Sequence, residues 1–227
     1  ALNNGIATLF EIRGVGIGKT SFKRRINSGL AVGFSFLKTA FENSNFIFNQ
    51  IDIAKTYTND IVLQHERSIY TDVIKVIDIE SNELIDFTTT MHSSKDSYAI
   101  SKRERPLAYV IKKNNYGFIE KLNDVGVNYV ELERDTIIYS GGYKVVEFNN
   151  NFKVYEKMKM QKVVTLIEYN DNRFSKGDIL ISMNQKRSNL IAELLEPEAP
   201  NSYVSFGIIK TSINKQLPIY RIKNFNN

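Results

Sequence analysis

The spacing of apolar residues changes once along this chain, near Asn59, and that change limits the fold more than any single motif. Before it, Ile26, Leu30, Phe34, Leu37 and Phe41 recur at intervals of three and four, and Ile47, Ile51 and Ala54 resume the period to about Thr58. This spacing predicts a long amphipathic helix, interrupted near Asn43-Ser44-Asn45. After Asn59, short apolar runs alternate with turn residues, at 61–63, 73–79, 84–89, 107–111, 129–132, 136–139, 143–148, 152–155, 163–169 and 179–181. These read as strands. Ser81-Asn82, Asn149-Asn150-Asn151 and Asn170-Asp171-Asn172 favour turns, and Gly141-Gly142 between two β-rich runs predicts a two-residue hairpin loop. Many short strands with frequent turns predict a sandwich. Residues 116–124 predict a short inserted helix, and Leu190 to Leu195 another, stopped by Pro197 and Pro200. Residues 203–209 are apolar and fit either helix or strand.

Ahead of the long helix, Ile6 to Ile12 is a compact apolar run expected to form a buried strand, and Gly14, Gly16 and Gly18 make the next segment a loop. The expected fold class is therefore α+β: a strand and long helix over residues 1–59, of α/β character, followed by a β-rich, sandwich-like domain over 60–227. At 227 residues the chain is long enough for one large domain or two small ones.

Composition removes several chemistries. No cysteine is present, which excludes disulfides, thiolate metal sites and a cysteine nucleophile. The net charge of +5 is dispersed rather than gathered into a basic stripe, so no nucleic-acid partner is expected. No stretch approaches the roughly 18 apolar residues of a membrane span. The chain begins at Ala1 rather than Met and runs abruptly into its first apolar segment, as an excised or processed piece would.

Five constellations could carry chemistry. Residues 13–20, RGVGIGKT, come within one residue of a phosphate-binding loop, but Arg13 stands where that pattern needs its first glycine. A nucleotide fold also needs further strand–helix units, which the β-rich remainder does not supply. Asp78, ending Val76-Ile77-Asp78, could imitate a magnesium-binding strand end. Histidines His65 and His92 lack a carboxylate three residues on, where Ser68 and Lys95 stand, and read as ordinary surface or strand residues. Glu131 and Glu133 would share one strand face, most simply a solvent-facing one. Lys102-Arg103-Glu104-Arg105 reads as a solvated charge run. Glu11 differs, because a carboxylate in an apolar strand is costly to bury unless paired or functional. Desolvation of such a group raises its pKa toward the range of a general base. An ion pair with Arg13, two residues along on the same face, is the structural alternative.

Residues 4–14, NGIATLFEIRG, followed by Ser21-Phe22-Lys23-Arg24-Arg25, resemble the last catalytic strand and final helix of the carboxypeptidase A-like zinc peptidases, and in particular large bacterial members with an added β-rich C-terminal region. Residues 105–111, 182–185 with 190–197, 202–207 and 217–221 extend the resemblance along the chain. It implies that residues 1–59 are the C-terminal end of a catalytic domain and 60–227 an accessory domain. It also implies that Glu11 is the general base of a metallocarboxypeptidase acting on peptide or protein substrates. The family's zinc-binding His-x-x-Glu motif has no match here, so the resemblance implies a missing N-terminal catalytic region that holds the zinc. No metal is expected in this chain, which would be inactive alone. Extracellular or periplasmic placement is a further expectation from the resemblance. The alternative is a non-catalytic β-sandwich module that binds a peptide, glycan or cell-surface partner.

Overall fold

The computed structural model describes residues 2–12, 18–19, 21–56, 59–113 and 116–224. Two consecutive helices, α1 (Phe22–Glu42) and α2 (Ser44–Lys55), carry the expected apolar period. The break between them falls at Asn43, whose backbone N–H and side-chain amide both donate to the Thr39 carbonyl. Neither helix has a buried residue, and Phe41 is 82% exposed. No helix among the described residues is long and apolar enough to cross a membrane.

Residues 6–12 are not the expected buried strand. They have no regular secondary structure, and Ile6, Leu9, Phe10 and Glu11 are all exposed. An extended segment becomes a strand only by pairing its backbone with a neighbour, and none of the described strands lies alongside it. Instead it runs along α1. The Phe10 and Phe36 rings meet edge to face with centroids 6.0 Å apart, and Ile12 Cδ1 sits 3.3 Å from where a β-carbon on Gly29 would stand.

The β-rich part consists of β1 (Ile61–Ile77), β2 (Leu84–Arg103), β3 (Ala108–Ile111), β4 (Val130–Glu131), β5 (Thr136–Tyr155), β6 (Met158–Phe174), β7 (Ile179–Ser182) and β8 (Gln216–Ile222), with helices α3 (Tyr116–Asp124) and α4 (Ser188–Leu195) between strands. β1 and β2 pair only with each other. The other six form an antiparallel sheet in the order β4-β7-β3-β8-β5-β6. Tyr109 and Ile111 of β3, with Ile219 of β8, join a core with Phe118 and Leu122 of α3, Ile191 and Leu195 of α4, and the segment around Tyr203. Ile61 and Leu63, from the start of β1, belong to the same core, so helices, a loop and the first residues of the two-stranded sheet all contribute to it. Ala108, Val110, Phe174, Tyr220 and Ile222 form a smaller cluster. Burying each large aliphatic side chain contributes about 1.5–3 kcal/mol, so the sheet's stability is concentrated in its central strands.

Two turn expectations, at 141–142 and 170–172, fail because pairing continues through them. Gly141 and Gly142 lie inside β5, and the hairpin turns instead at Glu156-Lys157, both with positive φ, between the paired residues Tyr155 and Met158. A β-carbon on Gly141 would stand 2.7 Å from the Tyr169 ring, and one on Gly142 would collide with Gln216 and approach Tyr220. The glycines are therefore contact points in a strand, not a turn. At 149–151 the pairing is interrupted: Asn149 pairs with Lys162 and Lys153 with Met160, and between them the Asn151 N–H donates to Asn149 Oδ1 at 3.0 Å, whereas 170–172 are regular β6. β8 was not legible at all, since Pro218 argues against a central strand. The proline is accommodated because β8 bulges there: its pairing with β5 jumps from Tyr220 opposite Gly142 to Gln216 opposite Lys144.

Candidate functional site

Glu11 stands on the exposed segment that lies over α1, held by the Phe10–Phe36 contact on one side and Ile12 against Gly29 on the other. The burial expected around it is therefore absent. Its alternative partner Arg13, like residues 14–17 and Thr20 of the glycine-rich loop, lies outside the described residues. Of that loop, Gly18 has φ +63 and Lys19 is exposed.

The ends of the helical excursion meet in one polar clasp. Asn4 Nδ2 donates to the Lys186 carbonyl at 3.1 Å, and Asn189 Nδ2 donates to Asn4 Oδ1 at 2.8 Å. Arg105 then donates to Asn189 Oδ1 at 2.7 Å and to the Asn59 carbonyl at 3.1 Å. Residues 4 and 59 bracket α1 and α2, so the clasp fixes the base of both helices to the start of α4.

The other candidates separate. His65 of β1 stands opposite Ala99, whereas His92 of β2 stands opposite Ile69, on a different rung of the ladder. Among the described residues no three His, Asp or Glu side chains converge as a metal site. The described residues do not fit the zinc that the resemblance implies, and no catalytic step can be routed through a metal held by them. Glu131 and Glu133 are exposed. Asp78 does structural work: it accepts from the Ser81 hydroxyl at 2.7 Å and from the Ser81 N–H at 3.1 Å, closing the β1–β2 turn, and the Ser81 hydroxyl leads the hydrogen bonds that hold its carboxyl below the usual carboxylate range.

The charge run at 102–105 is not solvated as expected. Arg103 Nη1 lies 2.7 Å from Glu196 Oε2 and 2.5 Å from Glu198 Oε2. Glu196 is fully buried and also accepts from Tyr109 Oη at 2.5 Å, with Arg221 Nε 3.5 Å away. Glu198 accepts from the Thr165 N–H and hydroxyl, each at 2.7 Å. Glu104 pairs with Lys223, and its carbonyl accepts from Arg221. Two arginines and two glutamates thus neutralise one another in the interior, as buried charges must. Burial works against the charge on Arg103, but Glu198 and Glu196 outweigh it and raise the guanidinium pKa further. Burial, then the charge of Glu196, pushes the Tyr109 phenol well above its ordinary value. A fixed, compensated array of this kind holds protons in place and does not exchange them at neutral pH, so it serves as a lock rather than an acid–base pair. Sequence spacing could not have found it, because its members come from β2, β3, β8 and the turn after α4.

The chain is similar over nearly its whole length to proteins named Carboxypeptidase 2. The protein of that name from Trichophyton equinum is 32% identical over 226 residues, which are 98% of this chain and 42% of the relative. The one from Trichophyton rubrum is 29% identical over the same coverage. A Probable carboxypeptidase 2 from Arthroderma benhamiae is 30% identical over 199 residues, 86% of this chain and 38% of the relative. The chain therefore spans less than half the length of these relatives. No protein-family model matches it, and no solved structure matches it.

Proposed function

We propose that this chain is part of a carboxypeptidase that hydrolyses C-terminal peptide bonds, and that Glu11 is the carboxylate that acts as its general base. The observation that carries the reading is the similarity to proteins named Carboxypeptidase 2 along 98% of the chain, Glu11 segment included. Two structural features support it. Glu11 is exposed and free of the buried lock, so it is available to a reacting group. The apolar stripe of α1 is uncovered among the described residues, as expected of a helix that completes a larger catalytic domain.

Within the same proposal, the enzyme is a zinc peptidase of the carboxypeptidase A-like type, with zinc ligands outside the described residues, and residues 60–227 are its accessory domain. Extracellular or periplasmic action on peptides belongs to this reading.

The test uses the longest natural polypeptide that contains this sequence. It should release C-terminal residues from peptides, and Glu11→Gln should lower kcat by about a hundredfold or more, the usual loss of a general base, with substrate affinity little changed. Full activity in Glu11→Gln would remove Glu11 from the chemistry. Absence of any C-terminal release by the unmodified polypeptide would sink the peptidase reading itself.

A further inference from the structure

We infer that the chain binds a second copy of itself, the acidic outer half of the β1–β2 hairpin docking on the basic end of the β5–β6 hairpin. The inference goes beyond the peptidase reading and uses no residue of it. The two hairpins carry opposite charge. Residues 70–91, the outer part of β1–β2, hold five carboxylates and one lysine, whereas residues 148–164, the outer part of β5–β6, hold four lysines and one glutamate. Among the described residues a single ion pair forms within these two segments, between Lys75 and Asp86 at 2.7 Å. Glu80 and Glu83 beside the first turn, and Lys157 and Lys159 beside the second, are all exposed. Lys153 and Lys162 lie over the Phe152 ring, 5.7 and 5.2 Å from its centroid.

Within one chain these charges are held apart. A cleft of about 260 Å³ brings His65, Glu66 and Ile100, at the root of β1–β2, beside Phe152, Lys153 and Lys162. At about 3.3 Å per strand residue, Asp72 lies roughly 20 Å further out than Glu66, and Glu80 roughly 45 Å. The acids therefore project away from the chain's own basic hairpin, and another copy can bring the two together. Apolar surface accompanies the charge on both sides. The face of β1–β2 that carries Asp72 also carries Ile74 opposite Phe87 and Val76 opposite Ile85, while Val73 falls on the other face. Ile74, Ile85 and Phe87 are exposed, as are Val154, Tyr155 and Met158 at the end of β5–β6. Past Val145, β5 pairs among the described residues with β6 alone. A two-stranded hairpin is at best marginally stable in water, so each of these gains from an apolar cover. Charge selects the cover, because like hairpins repel and unlike ones attract. Under a two-fold axis each copy supplies one acidic and one basic hairpin, and both contacts form in one closed dimer.

The experiment follows self-association of the 227-residue chain by sedimentation equilibrium over a concentration series. A monomer–dimer equilibrium is expected, weakening as salt rises. Lys157→Glu/Lys159→Glu should weaken the dimer about tenfold or more, and so should Glu80→Lys/Glu83→Lys. An equimolar mixture of the two variants should recover the affinity of the unmodified chain, because each reversed hairpin then meets its opposite. All four side chains are exposed, so circular dichroism should not change. Lys176→Glu/Lys210→Glu, at exposed positions off both hairpins, should leave the dimer intact. A chain that stays monomeric throughout the series overturns the proposal. So does a dimer indifferent to salt and to both reversals, the behaviour expected of contact through the apolar stripe of α1. Equal weakening by the Lys176 and Lys210 variant, or a mixture that fails to recover association, overturns the assignment to the hairpins.

Discussion

Two hairpins of the same size lead different lives in this molecule. β1 and β2 span 17 and 20 residues, β5 and β6 span 20 and 17. Strand β5 has a neighbour in β8, and its central residues Ser140 to Tyr143 are buried. Among the described residues β1–β2 has no third strand, and beyond Ile61 and Leu63 none of its residues is buried. Tyr70, Ile74 and Val76 nevertheless face Met91, Phe87 and Ile85 across the ladder, apolar pairs interrupted on that face by Asp72 opposite Thr89. Composition alone does not decide what a strand contributes; a third strand and a covering layer do.

The sharpest way to break the comparison is at the root of the free hairpin. Arg103, the last residue of β2, is where that hairpin enters the interior, through Glu196 and Glu198. Glu196→Ala leaves Arg103 and Arg221 with a single buried counter-charge, and should lower unfolding free energy by about 3–5 kcal/mol in urea titrations. A loss below about 1 kcal/mol would mean that the root is open to water and the lock is not one.

A matched pair comes next. Val145 of β5 is fully buried, whereas Val73 of β1 is 55% exposed. Val145→Ala should cost about 2 kcal/mol, and Val73→Ala no more than about 0.5 kcal/mol. Equal losses would show that the free hairpin is covered in solution.

The smallest effect is alkaline. Burial and then the charge of Asp124 push the Tyr203 phenol up to about 12. An unfolded tyrosine releases its proton near pH 10, so between about 10 and 12 the unfolded chain binds fewer protons and stability falls as pH rises. Tyr203→Phe should remove about 1 kcal/mol of that fall. An unchanged pH profile would assign the loss to Tyr109 and Tyr143, which burial also raises well above 10.

Local signals were legible where local forces suffice. The apolar period gave α1 and α2, and residues 116–124 form α3 as their spacing suggests. Strand segments near 84–89, 107–111 and 179–181 hold as well. The expected turns at Gly141-Gly142 and at 170–172 failed because a glycine or asparagine states what the backbone can do, not whether a neighbour will keep pairing through it. The site divides in the same way. A carboxylate in an apolar run made Glu11 visible, but its exposure depends on residues 6–12 lying on α1 and not in a sheet.

By itself, then, the sequence determined the helical first quarter, the β-rich remainder and the positions at which chemistry was possible, because periodicity and side-chain type are properties of neighbours along the chain. Tertiary structure decided which hairpin joined the sheet, that Pro218 could sit in a central strand, and that Arg103 is paired inside and not solvated. Those outcomes depend on contacts between residues as far apart as Arg103 and Glu196, whose energies appear only once burial removes water from between them.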